Sequence, residues 1–290
     1  MTEIPKNWAQ VAWNHVRFLC PKSWQPVEVG QRYLVLEDRD GPVMEVKWGP
    51  VKGHFSHEAQ LKNLASMHKK KLSRTLEPCP LPDRWGRHLG DFDASGFSWQ
   101  GSDTGAKGVL IHCPQCGRAT ILQFFKDGAV PARVLESFRD HVDDGLVPWS
   151  LFDIKALVPG RFELVSHAFL AGKFSLSFVG ESRKLYLYRY SPASVLLTRN
   201  GLAGFARATF PEWEEEPFTS SYLGCEAVGY FRAPGPGFKG LMARMSPKPS
   251  CTMARVWHME EQNRILAVIL EGKAPDPDLF EQVCTHYEIV

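Results

Sequence analysis

The 290 residues are too many for one small domain and comfortable for two, and with 44% hydrophobic and 23% charged residues each half can bury its own core. The 34 basic and 32 acidic residues leave a formal net charge of +2, too balanced for a nucleic-acid partner or an acidic membrane surface. No apolar run approaches the roughly 18 residues that span a bilayer, and Met1–Gln10 lacks the apolar core of an export signal, so the expected compartment is the cytoplasm. Seven cysteines are an odd number without a dense framework, which predicts thiols in a reducing compartment and no disulfide scaffold.

In chain order, Val16–Cys20 reads as a strand stopped by Pro21, with Trp24 three residues on. Tyr33–Leu36 and Val43–Trp48 read as two more, and Asp40-Gly41 between them predicts an antiparallel hairpin. Leu61, Leu64, Ala65 and His68 then follow helical spacing, with Ser56 as N-cap and the cations of His68–Lys71 at the negative end of the helix dipole. His88-Leu89-Gly90 with Phe97, a strand pair across 109–122, and a closing helix through Leu135, Phe138 and His141, opened by Pro131, complete the pattern. Asp143-Asp144-Gly145 ends it.

The same pattern then returns. Ile154–Val158 runs to Pro159 with Phe162 three residues on, and Ser175–Phe178 and Leu185–Tyr190 flank Gly180-Glu181. In both copies a cation precedes the closing aromatic: Lys47 before Trp48, and Arg189 before Tyr190. A helix through Leu202, Phe205 and Ala206 takes Thr198 as its cap. Tyr222-Leu223-Gly224 with Phe231, then His258 and Arg264–Val268, match the next stretch. A helix through Phe280, Val283 and His286, opened by Asp276-Pro277, closes the copy. About a dozen extra residues in the Pro/Gly-rich stretch Ala233–Pro249 read as a loop insertion. Six segments matched in order imply duplication, with repeat unit 1 at 1–146 and repeat unit 2 at 147–290. The expected class is α+β, each unit a mainly antiparallel sheet packed with amphipathic helices.

The segments Leu19-Cys20-Pro21-Lys22-Ser23-Trp24 and Leu157-Val158-Pro159-Gly160-Arg161-Phe162, each followed by paired strands and a helix, resemble the PsbP-like α/β sandwich superfamily, which includes the Mog and DcrB-type proteins. The resemblance covers the first third of each copy. It implies a binding or assembly role and transfers no functional residue. The tandem arrangement and the cysteine pair depart from the family's usual pattern.

One motif carries chemistry. Val109–Leu122 is predicted to be a hairpin whose turn is Cys113-Pro114-Gln115-Cys116-Gly117, a zinc-knuckle turn that brings two thiolates toward one tetrahedral ion. Zinc needs four ligands; Cys79, His112 and His141 are the candidates to complete the set. The alternatives are a tight turn with two free thiols and, less favoured, a redox dithiol. A thioredoxin-type pair opens a helix, and this one sits on a hairpin. Met259 and Gln262 occupy the matching positions of the second copy, so the same hairpin forms there without thiolates. His112 and Arg118 match His258 and Arg264, which most simply reflects shared packing.

No phosphate-binding loop, dinucleotide fingerprint, nucleophile elbow or His-Glu-x-x-His motif is present. Glu212–Glu216 reads as a solvated loop and Asp91/Asp93 as a turn. Nine tryptophans suit core and interface positions, or an aromatic cleft between the repeats that takes a small molecule. The expectation is therefore a non-catalytic, cytoplasmic binding or assembly module with a protein partner. The alternative is a metal- or thiol-dependent enzyme centred on Cys113 and Cys116, with His112 as acid/base or ligand.

Overall fold

The computed structural model describes residues 4–72, 75–100, 106–142, 145–213, 216–234 and 249–290. The side chains of the predicted helix end His68–Lys71 lie outside the described set, as do Asp143-Asp144, Glu214-Glu215 and the insertion from Gly235 to Lys248. The chain divides into two compact units, Met1–Asp144 with Pro148–Phe152, and Gly145–Val147 with Asp153–Val290.

In the first unit, β1 (Trp8–Trp13) and β2 (Val16–Pro21) form a hairpin. The chain then builds β3 (Gln25–Gly30), β4 (Tyr33–Asp38), β5 (Gly41–Pro50), α1 (His57–Leu72), β6 (Thr75–Cys79), α2 (Asp83–Gly86), β7 (Asp93–Gln100), β8 (Lys107–His112), β9 (Arg118–Phe124) and α3 (Val130–Ser137). Its sheet has the order β3-β4-β5-β9-β8-β7-β6, antiparallel throughout. Strand β10 (Leu146–Leu151) brings Ser150 opposite Ala12 of β1.

In the second unit β11 (Ile154–Pro159) is followed by β12 (Glu163–Leu170), β13 (Lys173–Gly180), β14 (Arg183–Tyr190), α4 (Ala193–Leu196), α5 (Gly201–Thr209), β15 (Phe218–Tyr222), β16 (Cys225–Arg232), β17 (Cys251–Met259), β18 (Arg264–Gly272), α6 (Pro277–Thr285) and β19 (Glu288–Ile289), the last pairing with β11. Its sheet has the order β12-β13-β14-β18-β17-β16-β15, the order of the first sheet strand for strand.

The α+β assignment is corrected by this content: strand takes about half of the chain and helix under a fifth, so the protein is β-rich. The helical periodicities were over-extended. Both α2 and α4 are single turns that no apolar periodicity in the sequence marks. The apolar stripe beyond α3 belongs to extended chain, because Phe138 has φ −66° and ψ 132° and ends the helix before His141. Strands β1, β6 and β15 escaped the sequence reading because they are short and interrupted by polar residues or Pro.

Pairing also corrects two matches by one residue. Trp48 lies opposite Thr120, and Arg189 lies opposite Leu266 on the equivalent rung, so Arg189 stands where Trp48 does and not where Lys47 does. Phe97 lies opposite Gly108 and Tyr230 opposite Ala254, so the counterpart of buried Phe97 is Tyr230, and Phe231 is exposed.

Each sheet is covered on one face by a helix that follows its first three strands. Leu61 and Leu64 of α1 pack on Phe97, Trp99 and Leu110, while Leu202 and Ala206 of α5 pack on Tyr190, Val228, Tyr230 and Val256. Each such large apolar side chain contributes about 1.5–3 kcal/mol by burial. Ser56 caps α1, its Oγ accepting from Ala59 N at 3.3 Å. Thr198 does not cap α5: its hydroxyl donates to Val195 O, and the helix opens at Asn200 without a side-chain cap. Asp276 accepts from Leu279 N at 3.2 Å and opens α6. Asp276→Ala should lower stability by about 1 kcal/mol, seen as a lower denaturation midpoint in urea.

Candidate metal centre

The last rung between β8 and β9 pairs His112 with Ala119. Beyond it Cys113 N donates to Arg118 O at 2.9 Å and Gly117 N to Cys113 O at 2.9 Å, with Gly117 at φ +67°. Residues 113–117 are therefore a tight turn, which presents both sulfurs to the chain leaving α3. That segment is itself pinned: Arg139 and Arg17 of β2 exchange two backbone hydrogen bonds of 2.8 Å. Arg118 adds a third tie by donating to the Asp140 carbonyl.

Held this way, Cys113, Cys116, Asp140 and His141 place one ligand atom each within 4.8 Å of all the others. Cys113 Sγ is 3.7 Å from His141 Nδ1, Cys116 Sγ is 3.2 Å from Asp140 Oδ2, and His141 Nδ1 is 2.7 Å from Asp140 Oδ1. Edges of about 3.3–3.7 Å join N, O and S ligands around tetrahedral zinc, so the set lies near that size, with the 2.7 Å Asp140–His141 contact too short and the rest within 4.8 Å. Asp140 is fully buried and Cys113 almost so, whereas Cys116 is exposed on one side. Partial desolvation and the Asp140 carboxylate push the Cys116 thiol up to about 12. Without a cation that thiol stays neutral and donates to Asp140. Two thiolates beside a buried carboxylate need a positive charge among them, which a divalent ion supplies.

The sequence candidates separate. Cys113, Cys116 and His141 come together. His112, one residue from Cys113 on a strand, faces away and stacks on Phe55 with ring centroids 4.2 Å apart and planes at 9°. Cys79, on edge strand β6, pairs with Gly96 of β7 and through it with Val109 of β8, so it stands about 10 Å across the sheet and four residues along it from Cys113. Asp140 was missed because no spacing motif marks it; its only signal was adjacency to His141.

The second unit gives an internal comparison at the level of rungs. His258 pairs with Ile265 as His112 pairs with Ala119, and Asn263, at φ +53°, stands where Gly117 does. Lys155 pairs with Glu288 as Arg17 pairs with Arg139, so Ile289 and Val290 stand where Asp140 and His141 do. His286, matched to His141 from sequence, instead ends α6 with Nδ1 2.8 Å from Gln282 O. All four cluster positions thus change together, to Met259, Gln262, Ile289 and Val290, while the flanking His and Arg are kept. Arg264 there turns to Asp153, donating through Nε at 3.0 Å, and buried Arg189 donates to the same carboxylate oxygen.

All seven cysteines are free thiols. No helix among the described residues is long and apolar enough to cross a membrane.

No protein-family model matches the chain, and no curated protein matches it in sequence. Among solved structures it is similar to the immunity protein TplEi of the type VI secretion system from Pseudomonas aeruginosa, at 11% identity over 98% of this chain and 97% of that one, with a TM-score of 0.36. The same protein complexed with an "L" peptide gives 9% identity over 98% of both chains and a TM-score of 0.35. A Bacteroides thetaiotaomicron protein gives 14% identity over 50% of each chain and a TM-score of 0.27. Likenesses this distant transfer neither fold nor function to this chain.

Proposed function

We propose that the protein is a non-catalytic binding module whose first unit is stapled by a structural zinc ion held by Cys113, Cys116, Asp140 and His141. The observation that carries this reading is the closed ligand set. Four protein atoms fill a tetrahedral ion, whereas catalytic zinc keeps a position for water or substrate. The ion ties the β8–β9 turn to the segment that pairs with β2, which is a fastening role. The concerted replacement of all four residues in the second unit supports their acting as one group. Protein binding is supported by edge strand β15, whose exposed Phe218, with exposed Leu223 just beyond it, lies beside main-chain groups at the end of the sheet's strand order, an arrangement suited to strand addition by a partner. The PsbP-like segments at Leu19–Trp24 and Leu157–Phe162 point the same way.

Protein purified without chelator should hold one zinc per chain, and Cys116→Ser or Asp140→Ala should lose it on dialysis. Cobalt-substituted protein should give a tetrahedral visible spectrum that added cyanide leaves unchanged. An anion-dependent shift would reveal an open position and favour a metalloenzyme; metal-free protein would remove the site.

A further inference from the structure

The helix-covered faces of the two sheets differ at one end. On β5 the alternate positions opposite Gln123 and Ile121 are Glu45 and Lys47, an ion pair. The same rungs of β14, opposite Ile269 and Ala267, carry Tyr186 and Tyr188. Their rings lie parallel, 7° apart with centroids at 6.2 Å, and form an aromatic shelf. Trp213 walls the space by its edge, since its ring is stacked between Tyr230 at 4.7 Å and Phe210 at 4.8 Å. The result is a cavity of about 510 Å3. Tyr230 is 3% exposed and lines it with a hydroxyl that has no hydrogen-bond partner among the described residues.

Two carboxylates face this shelf, Glu212 and Glu271, and the Tyr186 hydroxyl donates to Glu271 at 3.4 Å. Burial first, and then both carboxylates, raise the Tyr186 and Tyr188 phenols above their usual range, so the rings stay neutral. Arg232 at the rim offsets one of the two negative charges. The far end of the same tyrosine ladder already holds a cation: Lys173 Nζ sits 5.1 Å over the Tyr188 ring and 5.5 Å over that of Tyr190.

We infer that this cavity binds an alkylated ammonium group, with Tyr186 and Tyr188 contacting its methyl skirt, Trp213 closing the wall by its edge, and Glu212 and Glu271 supplying the counter-charge. Aromatic π-faces attract cations, and a quaternary ammonium is desolvated cheaply. Two carboxylates exclude anions, and an aromatic shelf serves no small hydrated metal ion. The site is independent of the metal centre.

Choline titrated into the full chain by calorimetry, with saturation-transfer NMR on its methyl protons, tests this. Choline should bind in the millimolar range or tighter, and its uncharged isostere 3,3-dimethylbutan-1-ol at least about tenfold more weakly. Glu212→Gln, at an exposed side chain, and the double variant with Glu271→Gln should weaken choline progressively, reaching about tenfold, with an unchanged circular dichroism spectrum. A trimethyllysine amide separates the sources: tighter binding than choline assigns the site to a protein side chain, weaker binding to a small quaternary amine, and either order supports it. Equal binding of the neutral isostere, undiminished affinity in Glu212→Gln and the double variant, or no choline binding at all would overturn the proposal.

Discussion

Asp153→Ala should destabilise the second unit by about 3–5 kcal/mol, the effect expected when one partner of a buried ion pair is removed. Asp153 Oδ2 accepts from Arg189, whose side chain is 8% exposed, and from Arg264 at 3.0 Å. Arg189 is otherwise tied to Ser191 Oγ at 2.8 Å and lies 4.2 Å over the Phe174 ring. Neither contact replaces a counter-ion, so the alanine variant leaves a guanidinium in a site it cannot leave without opening the sheet. Asp153→Asn, which keeps an acceptor and removes the charge, should fall between the two. Adding Arg189→Met to the alanine variant should recover part of the loss, because the stranded charge goes with it. Guanidinium unfolding curves of the four proteins give these differences directly. A loss below about 1 kcal/mol would show that water compensates the arginines as well as Asp153 does.

The hairpins were the most legible part of this fold, because a turn states its requirement in a few residues. The loop joining β13 to β14 falls one residue on from the expected Gly180-Glu181, at Glu181-Ser182, both at positive φ, and the Cys113–Gly117 turn needs the conformation that Gly117 supplies. Strand order recurs between the units because apolar alternation and turn placement recur. Register did not survive so simple a reading. A β-bulge between Leu36 and Glu37 shifts β4 against β5, and an aromatic three residues from a landmark does not reveal which face it occupies. Helix length was over-read for a related reason: Leu135 and Phe138 are both fully buried, but the second is reached through extended backbone.

The metal centre was half legible. Cys113 and Cys116 lie close in sequence, so their convergence follows from the turn alone. Asp140 and His141 reach them through the pairing of Arg139 with Arg17, a contact between segments more than 120 residues apart that no local pattern encodes. His112 illustrates the converse: nearest in sequence to a ligand, it is turned away by the two-residue repeat of a strand.

Chelation should loosen this corner without unfolding the unit. Zinc-finger domains lose their fold with the metal because nothing else defines it. Here the β8–β9 hairpin has six rungs of its own, and β9 is paired along its other side with β5. The β17–β18 hairpin makes the equivalent turn with Met259 and Gln262 in place of the cysteines. Removing the ion should therefore leave far-ultraviolet circular dichroism nearly unchanged. Amide exchange at 113–118 and 138–142 should quicken by about tenfold or more, since those backbones lose the fastening that joins them, while the central strands keep their protection. Asp140→Ala should reproduce this pattern without chelator and render the protein insensitive to it. The two segments should also quicken together, because the ion couples them; exchange rising in the turn alone would mean that Asp140 and His141 hold no metal. Global unfolding on chelation would show that the ion defines the first unit's fold, contrary to the behaviour expected from the second.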